Sequence, residues 1–181
     1  MVGDALQARA FELLATQIHP AEAAAQCCAE LARAAGAQAL VGGQADDLAG
    51  LRPGATADDL EHIHARKTGA MFVVSLRLGG IVAGANPAQL AALTQYGQRF
   101  GLAFQITDDL LDVTGAEEAV GKRVGKDAGR GKLTYPGLWG AERSIEQATA
   151  LIAEACAAVD QLPGDTQPLY ELAQKVIHRD R

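Results

Sequence analysis

The stretch Phe104-Gln105-Ile106-Thr107-Asp108-Asp109-Leu110-Leu111-Asp112-Val113 constrains this chain more than any other. Placed on a helix at 100° per residue, Gln105, Asp108, Asp109 and Asp112 fall within an arc of about 100°. The remaining directions are filled by Leu102, Ala103, Phe104, Ile106, Leu110, Leu111 and Val113. A solvated surface helix is not apolar nearly all round, so the three carboxylates are expected to line a cleft inside the protein. Like charges one turn apart repel, and buried carboxylates are costly unless paired or bound to metal. The spacing asks for cations.

The 181 residues are enough for one domain with a sizeable core. Only 4% are aromatic, and the apolar character comes mostly from Ala, Leu and Val. That balance favours closely packed helices over sheets. A net charge of −6 argues against nucleic acid as the main partner, although a local site can still be basic. Cys27, Cys28 and Cys156 have neither metal-binding spacing nor an even count, so they read as small core residues in a reducing compartment. The longest apolar stretch, Ala70 to Ala85, is interrupted by Arg77 and several glycines. No cleavable signal and no transmembrane segment is expected, which makes a soluble cytoplasmic protein the default.

The order of elements is helical throughout. A first pattern carries Leu6, Ala10, Leu13 and Leu14. Pro20 suits the first turn of a second, Ala-rich helix that runs through Ala39 and reaches Leu48. Gly42 and Gly43 within it make sense if another backbone or a ligand must approach closely. After the turn Arg52-Pro53-Gly54, Thr56 is an N-cap with Asp59 three residues on, and a helix follows from about Ala57 to Val82. Lys67 lies in the middle of its apolar face; such a lysine either snorkels outward or meets an anion inside. Arg66 and Arg77 lie away from that face. Asn86-Pro87 starts the next helix, with Leu90, Leu93, Tyr96 and Phe100, which should end near Gly115. Gly97 and Gly101 on it are expected to leave space in front of the carboxylates.

From Glu117 to Gly137 the sequence reads as a loop, and Gly121 to Pro136 holds four glycines and five basic residues. It matches no P-loop pattern. A basic loop just after a carboxylate site suggests a phosphate-bearing ligand bridged by metal, against the plainer alternative of a solvated loop. A helix from about Leu138 to Leu162 and a last short one through Ile177 complete an all-α helical bundle of about six helices. The four histidines have no metal spacing beyond His62-x-His64, whose side chains diverge on a helix.

Taken together and in order, these motifs resemble the trans-isoprenyl (polyprenyl) diphosphate synthases. Asp108-Asp109-Leu110-Leu111-Asp112 after Phe104-Gln105 resembles their second aspartate-rich motif. Gly42-Gly43-Gln44-x-x-Asp47-Leu48 is similar to their Gly-Gln-x-x-Asp-Leu motif, and His64-x-x-Lys67-Thr68-Gly69-Ala70 to their Lys-Thr motif. Gly121-Lys122-x-x-Gly125-Lys126-Asp127 and Lys132-Leu133-Thr134-Tyr135-Pro136 resemble their basic loop. The likeness is closest to farnesyl and geranylgeranyl diphosphate synthases. It implies the all-α isoprenoid synthase fold and a Mg²⁺-dependent prenyltransferase that condenses isopentenyl diphosphate with an allylic diphosphate. By match to motif, Asp108 would ligate Mg²⁺ directly, with Asp109 and Asp112 ligating or supporting its waters. Lys67, Lys122 and Lys132 would neutralise phosphate charge. Thr68 and Gln105 would hydrogen-bond near the diphosphates or the developing cation. Gln44 and Arg181 would lie near substrate, with Arg179 beside the isopentenyl diphosphate site, and Asp47 would support the site. The resemblance turns Lys67 inward, and it implies a homodimer through the first two helices.

One departure is plain. No second Asp-Asp-x-x-Asp occurs, because Asp46-Asp47 and Asp58-Asp59 lack the third carboxylate. Residues 1–181 are therefore expected to be the C-terminal part of a single polyprenyl synthetase domain, truncated at the N-terminus and inactive as an isolated chain. The remaining helices should expose apolar surface. The alternative expectation is a non-catalytic or regulatory subunit, or a Mg-diphosphate-binding partner, of a complete synthase.

Overall fold

A computed structural model of the chain describes residues 1–52, 54–120 and 133–178. The order is α1 (Val2–Gln17), α2 (Ala21–Ala35), α3 (Leu40–Ala49), α4 (Ala57–His64), a π turn (Ala65–Gly69), α5 (Ala70–Val82), α6 (Pro87–Val120), α7 (Tyr135–Trp139), α8 (Ala141–Val159) and α9 (Gln167–Ile177). Among the described residues there is no strand, so the all-α expectation holds.

Two of the expected helices are divided, and a third contains a π turn. A turn at Gly36–Ala39 separates α2 from α3. The expected helix from Ala57 to Val82 is continuous but contains the π turn, with Lys67 and Thr68 inside it. Gly140, at φ 82°, breaks the chain between α7 and α8, and Thr134 starts α7 earlier than the expected Leu138 by accepting the Gly137 N–H. Conversely, α6 continues past Gly115 to Val120; one glycine costs a helix about 1 kcal/mol and need not end it. Thr56 and Asp59 form the expected capping box, each bonding the other's backbone N–H.

The bundle is built on α6. Its 34 residues span about 50 Å. Asn86 and Gln89 cap its start reciprocally, each side-chain oxygen accepting the other's N–H, at 2.8 and 2.9 Å. One face carries Tyr96, Phe100, Ala103 and Ile106, all buried against Ala148, Leu151, Ile152, Ala155 and Val159 of α8 and Ala173 and Val176 of α9. The Tyr96 hydroxyl donates to the Leu169 carbonyl at 2.7 Å, which ties α6 to α9 without leaving a buried hydroxyl unpaired. A second cluster, around Leu31, Ala34 and Val74, holds α2 and α5 together with Phe11 and Leu14 of α1.

Gly97 and Gly101 do not leave open space before the carboxylates. A Cβ on Gly97 would lie 2.9 Å from the Val73 Cα, and one on Gly101 would lie 3.1 Å from the Gly69 Cα. The helix α5 and the π turn fill that space, and close helix approach is what the small residues permit. The expectation of exposed apolar surface is met on α1, at Val2, Leu6 and Leu13, and on α3, at Val41 and Leu48. No helix among the described residues is long and apolar enough to cross a membrane.

Arg77 joins three helices. Its guanidinium donates to both Glu30 oxygens, at 3.0 and 2.7 Å, and to the Thr94 hydroxyl at 2.9 Å. The Glu30 and Arg77 side chains are only 18% and 22% exposed, so this pair is less screened than an ordinary surface bridge. The hydrogen bonds from Arg77 hold the Glu30 carboxyl below its ordinary value of 4.5. An acid whose folded value is depressed stabilises fully above its unfolded value and loses that contribution as pH falls through the folded one. Glu30→Gln should therefore cost about 1–2 kcal/mol at neutral pH. In urea titrations the gap to wild type should close as pH drops below about 4.5.

Two glycine substitutions should move stability in opposite directions. A Cβ on Gly43 would overlap the Lys67 backbone, with its Cα at 2.8 Å, whereas one on Gly79, inside α5, would meet nothing within 4 Å. Gly43→Ala should lose about 2–3 kcal/mol, and Gly79→Ala should gain about 0.5–1 kcal/mol. Thermal melts of the two variants check the signs.

Candidate active site

The site begins where α3 meets the π turn. The short α3 carries Gly42, Gly43, Gln44, Asp46 and Asp47 within its ten residues. Buried Gly43 lies against the Lys67 backbone, so no side chain separates the two segments. At that range the adjacent acids of α3 meet the adjacent bases of the π turn. Lys67 Nζ donates to Asp47 Oδ2 at 2.6 Å, and Arg66 pairs with Asp46. Arg66 also donates to the carbonyls of Gln38 at 3.1 Å and Ala37 at 3.2 Å. It thereby holds the turn before α3, whose carbonyls lack helical partners.

The π turn also faces α6. Gly69 touches Gly101, and Phe72, one turn on, packs against Phe100 and Phe104 with ring centroids 4.9 and 5.2 Å apart. Thr68 Oγ1 lies 3.5 Å from Gln105 Oε1, at the edge of hydrogen-bond distance. Gln105, Asp108 and Asp112 then lie in sequence along one stripe of α6. Gln105 and Asp108 are half-buried and Asp112 is exposed. Polar groups thus run from Asp47 through Lys67, Thr68 and Gln105 to Asp108 and Asp112, across three helical segments. Gln44 is half-buried on α3, one turn before Asp47.

Asp109 is placed differently. It is buried, and its Oδ2 accepts the Tyr135 backbone N–H at 3.0 Å. The Tyr135 ring is fully buried, with the rings of His64 and Trp139 at 5.8 and 5.0 Å. Burial pushes the Tyr135 phenol up, and the Glu61 and Asp109 carboxylates add to the shift. His64 is buried beside that ring. Lys122, Lys132, Arg179 and Arg181 lie outside the described residues.

Could these donors hold Mg²⁺? Among the described residues no group of three His, Cys, Asp or Glu side chains converges on one point. Asp108 and Asp112 nevertheless offer oxygen donors of the kind Mg²⁺ takes, and this ion commonly uses one or two carboxylates plus waters and substrate phosphates. The donor set fits Mg²⁺ shared with a phosphate ligand and does not fit a protein-only cage.

The residues that sequence reasoning passed over are Arg66 and Asp46. Arg66 was expected simply to lie off the apolar face, yet it straps the turn before α3. The available signal was the tandem itself: Asp46-Asp47 and Arg66-Lys67 are opposite-charge doublets.

Residues 1–173 match the family model described as polyprenyl synthetase. A geranylgeranyl diphosphate synthase of Cyanophora paradoxa is 39% identical over 99% of this chain and 61% of its own length. The solved apo structure of an FPP/GFPP synthase from Zymomonas mobilis superposes with a TM-score of 0.82 at 32% identity, covering 96% of this chain and 59% of that one. A geranyltransferase of Helicobacter pylori, solved in complex with magnesium and isoprenyl diphosphate, superposes with a TM-score of 0.75 at 28% identity, over 98% and 58%. The chain thus spans about 60% of the length of these relatives. With the model matched nearly end to end and an all-α fold shared with solved synthases, this chain belongs to the polyprenyl synthetase family.

Proposed function

We propose that residues 1–181 form the C-terminal part of a single polyprenyl synthetase domain. That domain would condense isopentenyl diphosphate with an allylic diphosphate to a short-chain product, farnesyl or geranylgeranyl diphosphate. The observation that carries this reading is the run of polar groups from Asp47–Lys67 through Thr68 and Gln105 to Asp108 and Asp112. It is the arrangement a diphosphate shared between lysine and a carboxylate-bound cation requires. The magnesium and isoprenyl diphosphate in the Helicobacter pylori geranyltransferase support the same ligand class.

Each residue has a definable task. Asp108 and Asp112 hold Mg²⁺, with Asp109 beside them in sequence. Bound there, the ion supplies Lewis-acid stabilisation of the departing diphosphate. Lys67 has three N–H donors; Asp47 takes one and aims the ammonium, leaving two for phosphate oxygens. Thr68 and Gln105 orient substrate by hydrogen bonds, and Gln44 lines the α3 side. Lys122 and Lys132 neutralise diphosphate charge, a term that grows as the carbon–oxygen bond opens, and Arg181 contributes to the substrate site. The exposed apolar side chains of α1 and α3 suit a homodimer, and the protein works in the cytoplasm.

The sequence holds one Asp-Asp-x-x-Asp, and a two-sided metal clamp needs a second. The isolated chain should therefore give no condensation product from geranyl diphosphate, isopentenyl diphosphate and Mg²⁺ in a radiolabel assay. Robust turnover abolished by Asp108→Ala would refute that expectation.

The same single motif favours a second reading, a regulatory or Mg-diphosphate-binding subunit of a complete synthase. Adding the chain to such a synthase separates the readings: a changed rate or product length supports the subunit. In either case inorganic pyrophosphate with Mg²⁺ should bind in calorimetry, and Lys67→Ala should weaken it about tenfold or more. Equal affinity in that variant would remove Lys67 from the site.

A further inference from the structure

The three aspartates of Asp108-Asp109-x-x-Asp112 do not share one environment. Asp109 is 7% exposed, while Asp108 is half-buried and Asp112 is exposed. On α6 the stripe through Gln105, Asp108 and Asp112 covers about 60°, and Asp109 lies about 40° beyond its Gln105 edge. That rotation turns it toward α7.

Tyr135 is the first residue of α7, so its N–H is one of the donors that the helix cannot satisfy itself. Asp109 Oδ2 accepts it at 3.0 Å, in a buried setting. The Thr134 hydroxyl accepts the Gly137 N–H at 3.2 Å. Together these two acceptors serve the first turn of α7 and fix Tyr135, which is 0% exposed, against α6. An Asp109 that swung out to a cation would give up this bond and leave a buried N–H without its acceptor, an expensive exchange. Asp108 is half-buried and Asp112 exposed, both open to solvent to a degree that Asp109 is not. Lys132 lies three positions before Tyr135 in the sequence, so the anchor also fixes where the chain re-enters α7 after its basic segment.

We propose that Asp109 is a positioning residue that holds the first turn of α7 on α6, and that a divalent cation here is carried by Asp108 and Asp112. The second half rests on the diphosphate–metal reading given above; the first half does not.

Two measurements on the full 181-residue chain test it: the Tyr135 amide by NMR, and Mn²⁺ titration by electron paramagnetic resonance with inorganic pyrophosphate present. Asp109→Ala should speed hydrogen exchange at Tyr135 at least tenfold. Asp109→Asn keeps a carbonyl oxygen, so exchange should stay within threefold of wild type, and the Tyr135 amide resonance should shift because a charged acceptor has become neutral. Its Mn²⁺ affinity should also stay within threefold. Asp108→Asn should weaken Mn²⁺ at least tenfold and leave Tyr135 exchange unchanged.

An unmoved Tyr135 resonance in Asp109→Asn overturns the anchor, even if Asp109→Ala does not fold. A loss of Mn²⁺ in Asp109→Asn as large as in Asp108→Asn overturns the division of roles. Absence of Mn²⁺ uptake by the wild type overturns the metal half and the functional reading with it, while the Tyr135 amide still decides the anchor.

Discussion

Backbone contact on both sides of the π turn is the constraint on which the site depends. Gly43 of α3 lies against Lys67 on one side, and Gly101 of α6 meets Gly69 on the other. A side chain at Gly43 would force α3 and the π turn apart, and one at Gly101 would press on the Gly69 Cα at 3.1 Å. The π turn contributes the rest. An extra residue in one turn widens it and shifts the register of the helix beyond it. Arg66 and Lys67 thereby meet the α3 acids while Thr68, the next residue, meets Gln105 on α6. In a helix consecutive side chains diverge by about 100°, and here that divergence links two neighbours at once.

The charged groups at this junction pair locally. Lys67 and Asp47 are 31% and 21% exposed. Two such charges brought together without good geometry would cost more than they return. Their separation of 2.6 Å and their partial exposure keep the cost low. A lysine so held is aimed but not consumed, because one acceptor leaves two donors. Arg66 commits three of its five N–H donors to two carbonyls and a carboxylate. Two adjacent cations on one turn therefore serve different partners: Arg66 holds the turn before α3, and Lys67 donates to a single carboxylate.

Much of this was legible in the sequence. The period of apolar residues gave the helices, Thr56 and Asp59 gave a cap, and the doublet Gly42-Gly43 announced a close backbone approach. Asp108 and Asp112 stood out as carboxylates on an otherwise apolar helix. The hidden features have physical reasons. A π turn adds a residue without changing composition, so Ala57 to Val82 reads as one ordinary helix. An arc of about 100° groups Asp108, Asp109 and Asp112, but periodicity cannot say that a helix starting at Tyr135 will sit beside the middle one. Gly97 and Gly101 look like room for a ligand until another helix is known to occupy that room. Arg66 looks like a surface charge until the turn it straps has been folded.

The central helix shows why the site sits where it does. Along α6, Tyr96, Phe100, Ala103 and Ile106 face α8 and α9, while Gly97 and Gly101 face α5. A helix packed on both flanks must be apolar in most directions, which leaves few directions for its carboxylates. Asp109 accepts a backbone N–H, which converts a buried charge into a joint between helices. Asp108 and Asp112 lie on the stripe that no helix among the described residues closes off completely. Their charges repel at one turn's spacing, and a cation from outside the helix would relieve that repulsion. The packing that forces α6 to be apolar thus also gathers its negative charge on one stripe, the one that Gln105 shares where Thr68 of the π turn meets it.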